Sequence, residues 1–188
     1  MPLIIVEASI GFHVNMMCVA LLSMTAQAQE KGDFAIGARG GVSFAKVEFG
    51  NLKENVTRFG IGAFGQYSFS NHWRLELEGM YHPKKDHVSD FTLGLGIQYL
   101  VNVAEDFKIY PQVGYALAFV HSEGYTETMS PGSTITTHSQ NSTDGGIQFG
   151  VGFQYNAGEN WFLGADYKFQ PGIFGNCHNI SLGVGFIL

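Results

Sequence analysis

Seven charged residues stand among apolar, glycine and uncharged polar positions: Arg39, Arg58, Arg74, Glu76, Glu78, Asp166 and Lys168. Arg74, Glu76 and Glu78 recur at a spacing of two, as do Asp166 and Lys168, so each set falls on one face of an extended strand. Carboxylates and cations held together away from water either neutralise one another as fixed ion pairs or line a path for ions. Other residues suggest different chemistry. His82, His87, His121, His138 and His178 carry imidazoles that suit metal or haem, but no H-x-H or H-x-x-x-H spacing occurs among them. They read as solvated loop histidines, and no metal or cofactor site is expected. His178 and Ser181 supply a base and a hydroxyl for deacylation, yet residues three apart on a strand point to opposite faces and should not meet. Gly60 to Gly65 fits G-x-G-x-x-G, a dinucleotide fingerprint only where a strand gives way to a helix. Alternation runs straight through it. The sequons at Asn55, Asn141 and Asn179 identify no function.

The segments that carry these residues alternate with a period of two. In Gly145–Tyr155 the odd positions Ile147, Phe149, Val151, Phe153 and Tyr155 are apolar, and the even positions are Gly or Gln. A polar face of glycine and glutamine differs from the lysine and glutamate of a solvated sheet. Repeated strand glycine requires close approach by another group. Similar alternation covers Asp33–Val47, Arg58–Phe69, Trp73–His82, Phe91–Val103, Phe107–Phe119, Trp161–Phe169 and His178–Leu188. That predicts eight strands of the length that crosses a membrane at a tilt. Short turns fall at Ser70–His72, Ala104–Asp106 and Ala157–Glu159. Polar loops are expected at Glu48–Thr57, Pro83–Ser89, His121–Thr143 and Pro171–Cys177, the third being the longest irregular segment. Pro111 is expected to disturb its ladder, as a bulge or at the rim.

Charge separates membrane from water. The apolar strand faces carry no charge, whereas a soluble sandwich would leave some outer faces charged. Aromatics gather near strand ends, Trp73, Phe107, Tyr155 and Trp161 by the short turns and Phe44, Phe59, Tyr81 and Tyr167 by the loops, as two interfacial girdles would require. The predicted fold is all-β, an eight-stranded antiparallel transmembrane up-and-down β-barrel. The chain has 188 residues, 25 Gly, 16 Phe and 14% charged residues, with net charge -6. This excludes a basic footprint for nucleic acid, and with two cysteines a disulfide framework is not expected. Residues 1–28 read as a cleaved signal peptide, from the apolar run Met16–Met24 and the small-x-small site Ala26-Gln27-Ala28, although no Lys or Arg precedes Lys31. Residues 29–188 form the barrel domain.

The ordered set of glycine-rich strands, such as Phe59-Gly60-Ile61-Gly62-Ala63-Phe64-Gly65-Gln66-Tyr67 and Ile180-Ser181-Leu182-Gly183-Val184-Gly185-Phe186, resembles the small outer-membrane β-barrel family of OmpX- and OmpA-like, or porin-family, proteins. The family usually ends in an aromatic residue read by the barrel-assembly machinery. Here Leu188 is last and Phe186 lies two positions earlier on the same face. The alternation of long and short connections places both termini in the periplasm, and the resemblance implies a Gram-negative outer membrane, outer-membrane lipid around the barrel and a monomer. Within so narrow a barrel, near-balanced inward charges should form a salt-bridged plug. The leading functional reading is a non-enzymatic structural or surface-interaction protein acting through external loops, chiefly His121–Thr143. A small porin-like channel for ions or solutes is the alternative, and a lipid-modifying enzyme ranks last.

Overall fold

The structure is a computed structural model that describes residues 31–49, 52–124, 126–129, 133–136, 138–172 and 175–188. The leader expected at residues 1–28 lies outside the described residues. Alternation of bulky apolar residues with glycine, glutamine and paired charges produces strands β1 (Phe34–Phe49), β2 (Leu52–Ser68), β3 (Trp73–Lys85) and β4 (Val88–Tyr99). They are followed by β5 (Val101–Asn102), β6 (Phe107–Ser122), β7 (Thr126–Met129), β8 (Ser133–Thr136), β9 (Gln140–Asn156), β10 (Trp161–Gly172) and β11 (Gly175–Ile187). β5 continues β4 in unchanged register, and β7 pairs with β8 alone. The remaining strands pair antiparallel with their chain neighbours, and β1 pairs with β11. The result is a closed, eight-stranded antiparallel barrel.

The register fixes its size. From Phe34 the pairs run to Tyr67, Leu75, Ile97, Val113, Phe149, Phe169, His178 and back to β1 at Phe44, ten residues further on. With strands about 4.8 Å apart rising about 3.3 Å per residue, that stagger gives a tilt of about 40° and a radius of about 8 Å. Side chains fill so narrow an interior. Outside are Ile36, Phe59, Leu95, Phe149, Leu163 and Leu182, all exposed on the lipid-facing wall. Trp73 packs edge-on to Tyr99 at 4.9 Å, Trp161 to Phe186 at 4.9 Å, and Phe34 lies 5.0 Å from Tyr67, forming an aromatic belt at the terminal end. Phe44, Phe59, Tyr81 and Tyr167 are exposed toward the opposite end.

Glycines make room for large inward residues. A Cβ on Gly37 would lie 2.3 Å from the Phe64 ring, and one on Gly185 would lie 2.1 Å from the Phe162 ring. Phe64 and Phe162 pack with Ala35 and Ile187 into a buried apolar cluster between the start of β1 and the end of β11.

The loop expectations need correction. β1 and β2 stay paired to Phe49↔Leu52, so most of Glu48–Thr57 is strand. β6 and β9 stay paired to Ser122↔Gln140, and β7–β8 adds a hairpin, so much of His121–Thr143 is regular. β10 and β11 stay paired to Gly172↔Gly175. Pro83–Ser89 contracts to a two-residue turn in which Asp86 and His87 both have positive φ, 51° and 65°, as a tight β-hairpin requires. Backbone pairing needs no apolar face, so the ladder continues after the alternation has ceased. Opposite Pro111 the pairing with β4 stops at Gln98↔Gln112 and resumes on β5 at Val101↔Ile109, with no register change. Proline has no N–H for that ladder. The register shift lies elsewhere, between His82 and Lys85.

Candidate functional site

β1, β3 and β10 bring Arg39, Glu76, Glu78, Asp166 and Lys168 together across the middle of the lumen. Arg39 binds both oxygens of Glu76, at 2.9 and 3.3 Å, pairs with Glu78, and reaches Asp166 at 3.4 Å. Lys168 bridges the same two glutamates at 3.2 and 2.8 Å. Gln66 donates to Glu76 at 2.7 Å, and Tyr110 donates to Asp166 at 2.7 Å. The Arg39 guanidinium also lies 4.3 Å from the Phe64 ring centre. Tyr110 reaches Asp166 because position 152 is glycine: a Cβ there would lie 2.5 Å from the Tyr110 ring and 2.6 Å from Asp166 Oδ1.

Arg74 is fully buried in the next layer toward the termini. It donates to Gln98 and Gln154, each at 2.6 Å, and its guanidinium is 5.0 Å from the Tyr110 ring centre. Arg39, Arg74 and Lys168 face Glu76, Glu78 and Asp166 within two adjoining layers, and Lys108, buried opposite Gln154 in the β6–β9 pairing, adds a further cation in the Arg74 layer. Below them lies the Phe64–Phe162 cluster.

Arg58 departs from the expected set. It sits nearer the far end, pairs with Asp90 and donates to the carbonyls of Val88 at 2.8 Å and Pro83 at 3.3 Å. The same Asp90 contacts His82 Nδ1 at 2.8 Å, and His82 Nε2 contacts Ser43 Oγ at 2.9 Å. His82 is therefore not a solvated loop histidine; it is 6% exposed on the inward face of β3. These residues line a cavity of about 400 Å³ whose wall also includes Ala45, Val56, Val120 and Asn179 and which reaches down to Glu78 and Lys168. Sequence reasoning missed the cluster because β1, β2, β3 and β4 bring these residues to one height only through their register; inward placement of all four residues was the available signal.

The other expected histidines lie elsewhere. His178 meets Tyr167 Oη at 2.8 Å on the outer side, while Ser181 is buried. His121 bonds Asn141 at 2.6 Å near the far end. Among the described residues no group of three or more His, Cys, Asp or Glu side chains is arranged to hold a metal ion.

Comparison with known proteins bears on this architecture. A family model described as an outer membrane protein beta-barrel domain matches residues 16–187. The N-terminal β-barrel domain of Pseudomonas aeruginosa OprF is 19% identical, with 85% of this chain and 100% of that chain covered and a TM-score of 0.61. Neisserial surface protein A is 16% identical, with coverages of 81% and 96% and a TM-score of 0.63. Ail, the attachment invasion locus protein of Yersinia pestis, in complex with the heparin analogue sucrose octasulfate, is 13% identical, with coverages of 83% and 99% and a TM-score of 0.54. At these identities the solved structures speak to the fold alone. Among curated proteins none matches the chain. The family match spans nearly the whole barrel, and the chain belongs to the outer membrane protein β-barrel domain family as a bacterial outer-membrane protein.

Proposed function

We propose that the protein is a sealed outer-membrane scaffold whose far end engages ligands or surfaces outside the cell. The observation that carries this reading is the buried ion-pair cluster of Arg39, Glu76, Glu78, Asp166 and Lys168 with Arg74 beneath it. Buried charges paired on several sides are costly to separate, and an eight-stranded interior leaves little room beside them. The cluster acts as a structural plug.

The orientation follows from the connections. Turns at the terminal end are short, whereas the opposite end carries the β6–β9 extension and the β7–β8 hairpin. Short periplasmic turns and longer outer loops are the rule for such barrels, so both termini face the periplasm and the hairpin projects outward. In this reading β11 is the strand offered to the barrel-assembly machinery, lipid covers the apolar wall, and the protein works as a monomer without nucleic acid or cofactor.

Single-channel recording tests the plug, with a heat-modifiable gel shift to establish folding. Folded barrel without steady openings is the expected result. Large, reproducible open states would overturn the scaffold reading and make the protein a small porin-like channel.

A further inference from the structure

We propose that Ser43, His82 and Asp90 form a hydrolytic triad, giving the barrel a second role as an esterase for small, water-soluble carboxylic esters. Both nitrogens of one imidazole are engaged, by Ser43 Oγ at 2.9 Å and by Asp90 Oδ2 at 2.8 Å. A carboxylate only accepts, so Nδ1 carries the proton and donates to Asp90. In the neutral imidazole Nε2 then accepts from the Ser43 hydroxyl. This is the nucleophile–base–orienting-acid arrangement that makes a weak serine nucleophile useful. Arg58 pairs with Asp90 through its other oxygen and fixes the carboxylate. The three residues stand on β1, β3 and β4 of a closed sheet, a rigid support for a site that must hold its geometry.

The surroundings fit an ester. The cavity of about 400 Å³ falls within the range of small-molecule sites, roughly 300–1,000 Å³. Ala45, Val56 and Val120 give an acyl group an apolar wall. Asn179 lies directly opposite Ser43 in the β1–β11 pairing. Its Oδ1 accepts from Cys177 Sγ at 3.7 Å, which leaves Nδ2 for charge developing on a carbonyl oxygen. The paired strands exclude membrane lipid from the side, and the plug closes the path from the terminal end. Substrate therefore enters from the far end, dissolved in water.

The reaction balances with an ester and water alone. Ser43 Oγ bonds to the carbonyl carbon as its proton passes to His82 Nε2. The carbon–oxygen bond of the leaving alcohol then breaks, and His82 returns the proton to that oxygen. Water attacks the acyl-serine, gives one proton to His82, and releases the carboxylic acid as Ser43 Oγ recovers it.

The test uses the refolded barrel, p-nitrophenyl acetate and butyrate as substrates, and a fluorophosphonate probe mapped by mass spectrometry, with the gel shift verifying that each protein is folded. Wild type is expected to take one probe molecule at Ser43 and to hydrolyse both esters. Ser43→Ala and His82→Gln should each lower the rate by at least about 100-fold, the scale of a lost acid–base partner. A folded wild type that leaves Ser43 unlabelled, or hydrolyses esters no faster than Ser43→Ala, overturns the proposal. So does labelling of Ser43 that persists undiminished in His82→Gln. If His82→Gln fails to fold, Ser43→Ala decides alone, because it removes one atom that borders open space. Conductance is read separately, so failure of the plug and failure of the triad are distinguishable.

Discussion

Replacing Arg39 by Met removes one charge and its donors while keeping an apolar stem of similar reach. In the native barrel Arg39 touches three carboxylates, Glu76, Glu78 and Asp166. Without it, Lys168 is the one cation left in contact with both glutamates, at 3.2 and 2.8 Å. Asp166 retains Tyr110 and, at 3.4 Å, Gln112. One carboxylate's worth of charge is then uncompensated in a layer that water reaches poorly. Breaking a buried pair from one side costs about 3–5 kcal/mol, a change of roughly two to four powers of ten in the unfolding equilibrium. The assay is reversible urea unfolding in lipid vesicles, followed by fluorescence of Trp73 and Trp161, with the gel shift as a second probe. Arg39→Met with Glu78→Gln restores neutrality and should recover part of the loss. Arg39→Met within about 1 kcal/mol of wild type would refute the argument, because that is the scale of an exposed pair.

Two further outcomes follow from the same geometry. Gly152→Val would place carbon against the Tyr110 ring and Asp166 Oδ1, 2.5 and 2.6 Å from its Cβ; overpacking of this kind costs about 1–3 kcal/mol, and the urea midpoint should fall accordingly. At the far end, the hydrogen bond and charge of Lys84 hold the Glu123 carboxyl below its ordinary range. A depressed carboxylate favours the folded arrangement above its unfolded pKa and loses that contribution as the pH falls through the folded value; carboxyl NMR titration should show the depression, and Lys84→Gln should remove most of it.

The barrel was legible in the sequence where lipid imposes alternation. Ile147 to Tyr155 faces hydrocarbon at every second residue, and its glycines and glutamines face the crowded lumen. Legibility ended at the membrane boundary, not at the end of the hydrogen-bond ladder. Ser142 is a paired strand residue between Asn141 and Thr143, and no periodic signal separates it from a loop. Arg58 and His82 show the limit for the site. Their inward or outward side follows from parity, but their height in the lumen depends on register, which a single strand's sequence does not encode. Pro83 suggested an early loop, yet β3 continues to Lys85 and keeps His82 inside.

The seam between β1 and β11 has a kinetic consequence. Seven of the eight joints connect chain neighbours and form as hairpins or near-hairpins. The eighth joins residues 132 apart at Ala45↔Cys177 and 152 apart at Ala35↔Ile187. Until it closes, two strand edges present bare N–H and C=O groups to hydrocarbon, where each unsatisfied group costs several kcal/mol. An inserted but open sheet is therefore a high-energy species, and the chain cannot rest there. Burial in the bilayer and zipping of the seam must proceed together, so the arrival of β11 governs when β1 becomes stable.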